Sequence, residues 1–314
     1  MSFIFDKNID KFPVVKVFGV GGAGVKVLNR LKGEQRVNLD LIAMDTDLDS
    51  LNASTVDLTI PVSYNTAKKE ILDGVWNLNS DEDKQFVRQI IEALRGTDMI
   101  FLISGMGGKT GSTVSSIIAR VAKELKIMTV AILSRPFDFE SRTRSITTTF
   151  GYESLRLYAD GILMLSNNNV FEVAGGQMST AEMFANGNIA FCQQIYAFLN
   201  VIAGRGINNF NYEDVRSILE CTNNLKNIYL GVGEACDEIE ATMRALHAQI
   251  LEVTIEGARH IFLNIETGKD LNRLKLQEMI ELALQMSKRE VEVILGLSVK
   301  EVMKDMIRVT VIAS

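Results

Sequence analysis

The chain is short of most residues that announce a special chemistry. Its 314 residues include three cysteines, Cys192, Cys221 and Cys236, with no C-x-x-C pair and no metal-ligand spacing. Such an odd, sparse set excludes a disulfide scaffold and a zinc site, and reads as buried thiols in a reducing compartment. There are two histidines, His247 and His260, without catalytic or ligand partners at a useful spacing, so both read as structural or surface residues. No Ser/His/Asp set and no metal cluster emerges. Basic residues are not in excess: 33 Lys and Arg against 39 Asp and Glu give a net charge of -6, which excludes a general nucleic-acid surface. No apolar run reaches the roughly 18 residues of a membrane span. The N-terminal "MSFIFDKNIDKF" lacks the basic and apolar blocks of a signal peptide. A cytoplasmic protein without a direct membrane span is expected. Three prolines and one tryptophan occur, and no repeat or low-complexity segment is visible.

What is present is 47% apolar and 23% charged sequence, enough for two domains with a sizeable core. Short apolar runs alternate with helical patterns. "FPVVKVFGV" reads as a strand, and "AGVKVLNRLKG" as a helix stopped by Gly33. "NLDLIAM" is a strand ending at Asp45, and "EDKQFVRQIIEALRG" an amphipathic helix. "DMIFLIS" is a buried strand, followed by the loop "GMGGKTGST" and the helix "VSSIIARVAKEL". "IMTVAIL" and "DGILMLS" are further strands. This alternation predicts a parallel, doubly wound α/β sheet with its glycine loops at the carboxyl edge. Residues 179–202 form a long apolar helix opened by a Ser179/Glu182 capping box. Beyond it a smaller α/β block follows: helix "NYEDVRSILEC", strand "NIYLGVG", helix "DEIEATMRALHAQIL", strand "ARHIFLNIE", helix "LQEMIELALQMS", and strands "VEVILGL" and "MIRVTVIA". The domain limits read from this pattern are 1–178, a connecting helix 179–204, and 205–314.

Two glycine-rich turns carry the candidate chemistry. In "VFGVGGAGVKVLNRL", Gly19-x-Gly21-x-x-Gly24 has the letters of a dinucleotide fingerprint, and Asp45 stands where a ribose-binding acid would. On this stretch alone, an NAD site and a purely structural turn both stay open. The second turn, "SGMGGKTGST", can present backbone N–H groups and a helix N-terminus to an anion. It is not a Walker loop, because the first glycine of that motif would fall at Ile103, inside the strand.

The order "GVGGAG", "MDTD", "GMGGKTGS", "RPFDFESRTR" resembles the tubulin/FtsZ superfamily, as do the C-terminal "IFLNIETG" and "VTVIA". The resemblance spans residues 13–313. It implies a Rossmann-like GTP-binding domain, a long central helix, a smaller C-terminal domain, and a guanine nucleotide, GTP or GDP, with magnesium as a further ligand. It implies phosphate contacts at Gly21, Gly22 and Ala23, and Asp45 and Asp47 near phosphate, ribose or a magnesium-bound water. It implies a phosphate-wrapping loop of Gly107, Gly108, Lys109, Thr110 and Gly111. Pro136, Glu140 and Arg144 match the ribose and base side. Glu140 and Arg144 are also four apart on a predicted helix, where a surface ion pair is the plain alternative. Asn188 falls where the family contacts guanine, and an amide can both donate to and accept from that edge.

Four features depart from the family pattern. Lys109 replaces a third glycine, either as a cation for the phosphates or as a solvated loop lysine. Lys26 replaces an Asn near the base. Residues 61–83, "PVSYNTAKKEILDGVWNLNSDED", replace a glycine-rich loop that senses the γ-phosphate. In the family an N-x-D-x-x-D loop from one subunit completes its neighbour's site. Here the same spacing reads Asn209, Asn211, Asp214, with Glu213 beside the last. An amide at Asn211 can orient water but cannot take its proton, a loss worth roughly a hundred- to ten-thousand-fold in rate. Asn211 would equally serve as a helix cap. The resemblance thus implies a GTP-binding cytoskeletal filament, assembled head to tail from copies of this chain, with weak hydrolysis. Other FtsZ-like or membrane-remodelling proteins are further expected partners. The alternatives are a non-polymerising guanine-nucleotide switch or regulator of a true FtsZ, and an NAD-dependent oxidoreductase. The family continues into a linker and an adaptor-binding peptide past the point where this sequence stops. That leaves either a longer protein or one without the usual division adaptors.

Overall fold

The computed structural model describes residues 13–34, 39–67, 80–175, 178–202, 212–220, 226–268, 271–288 and 291–314. Asn209, Asn211 and Cys221 lie outside them. By its contacts the chain forms two units, Met1–Cys192 and Gln193–Ser314.

In the first unit, β1 (Val15–Val20) leads without a gap into α1 (Gly21–Glu34). Then come β2 (Asp40–Asp45), a short α2 (Leu48–Asn52), β3 (Leu58–Pro61), a short α3 (Tyr64–Ala67) and α4 (Asp81–Ala93). β4 (Met99–Gly105), α5 (Lys109–Glu124), β5 (Met128–Arg135), α6 (Arg142–Leu155), β6 (Gly161–Ser166) and α7 (Asn167–Val173) continue the alternation. The sheet order is β3-β2-β1-β4-β5-β6, with every pair parallel. A parallel sheet is covered on both sides, so its middle strands have no polar face to show. That is why "MIFLIS" and "MTVAILS" are buried throughout. α8 (Thr180–Ile202) opens on the expected capping box: Ser179 N donates to Glu182 Oε2 at 2.7 Å and Glu182 N to Ser179 Oγ at 3.3 Å. The two units divide within this helix rather than at its ends.

The second unit holds α9 (Tyr212–Glu220), β7 (Tyr229–Ala235), α10 (Glu238–Leu246), β8 (His260–Thr267), α11 (Arg273–Ser287), β9 (Glu292–Val299) and β10 (Ile307–Ala313). Its sheet order is β7-β10-β8-β9; β10 runs antiparallel to both neighbours and β9 parallel to β8. Gly231 and Gly233 let α10 lie directly on β7, since a Cβ at either would stand under 2 Å from a carbonyl oxygen of that helix. Across the sheet, Arg308 bridges Glu234 at 2.6 Å and the buried Glu266 at 3.1 Å, and Lys300 also pairs with Glu266.

Several local expectations need correction. α5 begins at Lys109, so half of the expected glycine loop is the first turn of a helix. α10 stops at Leu246 rather than running on to Leu251. The Tyr229 hydroxyl donates to Ala245 O at 2.6 Å and accepts from Ala248 N at 2.7 Å, closing the helix end from outside. Cys192 is buried, but Cys236 is exposed at the bend between β7 and α10, its sulfur 3.5 Å from Met306 Sδ. The short elements α2, β3 and α3 have too few residues to show a period.

Backbones pack closely where α1 starts against β1 and β4. A Cβ at Gly24 would stand 2.6 Å from Gly19 C and 2.7 Å from Ile103 O, both backbone atoms. Gly33, in the same helix, has nothing within 4 Å of its Cβ position. Gly33→Ala should therefore stabilise by up to about 1 kcal/mol through helix propensity alone. Gly24→Ala should destabilise by about 1–3 kcal/mol despite the same propensity gain. Urea denaturation of both variants checks the contrast.

Candidate functional site

The first turn joins Val20 to Gly21, whose φ of +70° sets the change from strand to helix at no side-chain cost. The glycines on either side do a different job. Gly19 and Gly24 are packing positions: a Cβ at Gly19 would stand 2.6 Å from Gly24 O. The second turn, after β4, packs onto the first. A Cβ at Gly105 would stand 2.8 Å from Ala23 Cβ, and one at Gly111 2.5 Å from Gly105 O. Gly107 has φ +91° and lies against Pro136 and Arg144. α5 then starts at Lys109 with Gly108 as its N-cap, which offers no side chain to the first N–H groups. Those groups have no intrahelical partner and suit an anion.

Around these turns lies a cavity of about 280 Å³. From β2 comes Asp45, 5% exposed; burial pushes its carboxyl above the usual carboxylate range, while the Thr46 N–H opposes the shift. Thr46 N donates to Asp45 Oδ1 at 2.7 Å, and Thr46 Oγ1 lies 3.1 Å from Thr110 Oγ1, tying the end of β2 to the first turn of α5. After β5, Glu140 accepts from Phe137 N at 2.8 Å and pairs with Arg144. Glu140 is not on a helix, as its spacing suggested: α6 starts at Arg142, and Glu140 stitches the preceding loop while holding the helix's first turn. The first half of α8 supplies Phe184 and Asn188. Phe184 meets Phe137 edge-on at 5.7 Å, and Phe137 stacks on Phe139 at 4.9 Å.

Most residues expected at a nucleotide site line this one cavity. They are Gly21, Gly22 and Ala23 from the first turn, Asp45 from β2, and Gly108, Lys109, Thr110 and Gly111 from the second turn. Pro136, Glu140, Arg144 and Asn188 complete them. Three expected residues are not in the lining. Gly107 shapes the turn behind it. Lys26 is exposed on α1. Asp47 caps α2, accepting from Asp49 N at 3.0 Å and Ser50 N at 3.2 Å. Asn211 lies outside the described residues, while Glu213 and Asp214 stand in the first turn of α9 in the second unit. Ser134, Asn167, Met183, Phe184 and Phe191 also line the cavity without having been anticipated. Phe184 was within reach of sequence reasoning: it precedes Asn188 by one helical turn, so both share a side of α8.

The lining thus combines backbone donors and a lysine, suited to phosphate, with an aromatic ring and an amide, suited to a base edge. No group of three or more His, Cys, Asp or Glu among the described residues could hold a metal on its own. No helix among them is long and apolar enough to cross a membrane. His247 caps the end of α10 and His260 opens β8.

Residues 14–175 match the GTPase domain of the tubulin/FtsZ family, and residues 227–314 match the C-terminal domain of the FtsZ family. Among solved structures, an empty FtsZ dimer from M. jannaschii is 24% identical, with a TM-score of 0.76 over 96% of this chain and 88% of its own. CetZ from Methanosaeta thermophila is 19% identical, with a TM-score of 0.77 over 96% of this chain and 86% of its own. CetZ2 from Haloferax volcanii, solved as a GTPγS-bound protofilament, is 19% identical, with a TM-score of 0.75 over 95% of this chain and 92% of its own. At these identities the structural likeness speaks for the fold, whereas the GTPase-domain match covers more than half the sequence. The chain belongs to the tubulin/FtsZ family.

Proposed function

We propose that the chain binds a guanine nucleotide in the cavity of its first unit, assembles head to tail with further copies of itself, and hydrolyses GTP slowly. The observation that carries the binding reading is the convergence of two anion-binding turns and Asn188 on one cavity. The phosphates fit the uncapped first turn of α5 and the backbone of Gly21, Gly22 and Ala23. The base fits Phe184 and Asn188, where the ring covers one side and the amide reads the edge. Arg144, held by Glu140, fits the ribose and phosphate side. Asp45 is the lining carboxylate outside an ion pair among the described residues. It would hold a magnesium ion against the phosphates, since that ion commonly takes one or two carboxylates plus phosphate oxygens.

Assembly rests on family membership and on the GTPγS-bound protofilament formed by the CetZ2 relative. A head-to-tail contact is heterologous and open-ended, which gives a filament rather than a closed dimer. Slow turnover rests on Asn211. Where the family brings an acid to the neighbouring site, this chain brings an amide, leaving Asp214 and Glu213 as the nearby carboxylates. A second reading, a guanine-nucleotide switch that does not polymerise, draws support from the segment before α4. Residues 61–67 and 80–83 do not line the cavity. Asp83 is instead buried, accepting from Thr66 Oγ1 at 2.9 Å and from Ser80 N at 3.2 Å in the capping box of α4. These described parts of the segment offer no contact to a third phosphate.

Two outcomes check the proposal. In fluorescence titrations GTP and GDP should bind well ahead of ATP, and Asn188→Leu should remove that preference at a cost of about 1–3 kcal/mol. Equal affinity for ATP and GTP in the wild type contradicts the base assignment. Phosphate release and sedimentation measured together should show GTP-dependent pelleting with slow turnover. Asn211→Asp should raise the rate and Asp214→Ala should abolish it, in line with the roughly hundred-fold or larger contributions of acid–base groups. Fast wild-type turnover unchanged by Asn211→Asp contradicts the reading of the loop, and no pelleting under any nucleotide favours the switch.

A further inference from the structure

We propose that two copies of this chain pair side by side through the outer face of α6, antiparallel about a twofold axis that passes between Ile146 and Phe150. The contact is separate from the head-to-tail assembly above and does not rest on it.

α6 has two faces. Thr148, Gly151, Ser154 and Leu155 are buried, and Gly151 packs onto α5, where its Cβ would stand 2.7 Å from Ser112 Cβ. The other face is apolar and open. Ile146 is 47% exposed, and Phe150, one turn on, is 69% exposed. Phe139 before the helix and Leu157 after it are 71% and 49% exposed. Neither end is loose: Phe139 stacks on Phe137 at 4.9 Å, and Leu157 O accepts from Lys123 Nζ at 2.9 Å. Single apolar residues on a surface are ordinary. A run of four along one helix, with two aromatic rings, marks a contact surface.

The charges say what covers it. Arg142 stands at the start of the exposed face, and Glu153 three turns further on; both are exposed. Glu153 Oε2 lies 2.5 Å from Arg156 Nε, which leaves its other oxygen to accept. Along the helix the order is therefore cation, apolar, apolar, anion. Turned end for end, that order sets apolar on apolar and cation on anion. Ile146 then opposes the partner's Phe150, and Arg142 falls within one residue of the partner's Glu153. A parallel pair would set Arg142 on the partner's Arg142 and Glu153 on the partner's Glu153. The stripe is thus self-complementary in one orientation, which is the requirement of an isologous contact. One helix pair falls short of the roughly 800 Å² per partner of a standard interface. Isolated copies accordingly pair weakly, and copies held in a row pair strongly by multivalency.

The test is sedimentation equilibrium of the nucleotide-free full chain, up to about 1 mM and at low salt, where exposed charge pairs are least screened. The proteins are wild type, Arg142→Glu, Glu153→Arg, the double variant and Phe150→Ser. Circular dichroism melts establish that each is folded. Wild type should dimerise with rising concentration, and each single charge reversal should weaken the dimer roughly tenfold. The double variant, and an equal mixture of the two single variants, should return to within about threefold of wild type, because both restore opposite charges across the axis. Phe150→Ser should weaken it by about tenfold or more. A wild type that stays monomeric throughout overturns the inference, as do single reversals that dimerise like wild type. A mixture that associates no better than either variant alone also overturns it, since a head-to-tail or parallel contact gives no such rescue.

Discussion

The first unit is organised around a contact that tolerates no side chain. The Cα of Gly24 and that of Gly19 come so close, with Ile103 O beside them, that a single methyl would overlap backbone rather than a movable side chain. One layer outward, a Cβ at Gly111 would overlap Gly105 O, and one at Gly105 would meet the Cβ of Ala23. Interiors are packed near the density of organic crystals, so these approaches fix the distance between the two strand-to-helix turns. They bring the backbone of both turns to the cavity wall, beside the side chains of Lys109 and Thr110. The chemistry of the site follows from that constraint.

The fold by itself does not choose the ligand. The strand order β3-β2-β1-β4-β5-β6 is the one that dinucleotide-binding sheets use, and Gly19, Gly21, Gly24 and Asp45 would suit an NAD site equally well. What separates the readings is the second turn and α8. A glycine turn after β4 with an uncapped helix and a lysine behind it gives a second anion-binding wall. Phe184 and Asn188, one helical turn apart, then supply a ring and an amide at the same cavity. Charge is also arranged sparingly. Glu140 holds Arg144 and braces its own loop through the Phe137 N–H, while Asp45 is buried and bonded to Thr46. Few charges are left to compete with an anionic ligand.

Much of this was legible in the sequence, and the exceptions share physical causes. The long strands declared themselves because a sheet buried on both faces needs unbroken apolar runs, as in "FLIS" and "VAIL". α4 declared itself through helical spacing, and α8 through its long apolar run and capping box. The start of α5 was hidden, because glycine and threonine carry no periodic signal, so Lys109 through Gly111 looked like loop. Glu140 looked helical because i,i+4 spacing also arises when an acid just before a helix reaches into its first turn. Gly107 and Asp47 sit beside the cavity rather than on its wall, since spacing places a residue in a turn without saying which side it presents. Phe184 was passed over because one aromatic on an apolar helix reads as core. Asn188 had meaning only through family resemblance; its own spacing says nothing about a base.

The account turns on which ligand the cavity selects. Equilibrium dialysis of the nucleotide-free chain against an equimolar mixture of GTP, ATP and NAD, followed by chromatography of what is retained, measures that choice directly. A guanine nucleotide retained ahead of both others is the predicted result, as the joint action of the two turns with Phe184 and Asn188. Preferential retention of ATP or NAD would contradict the account.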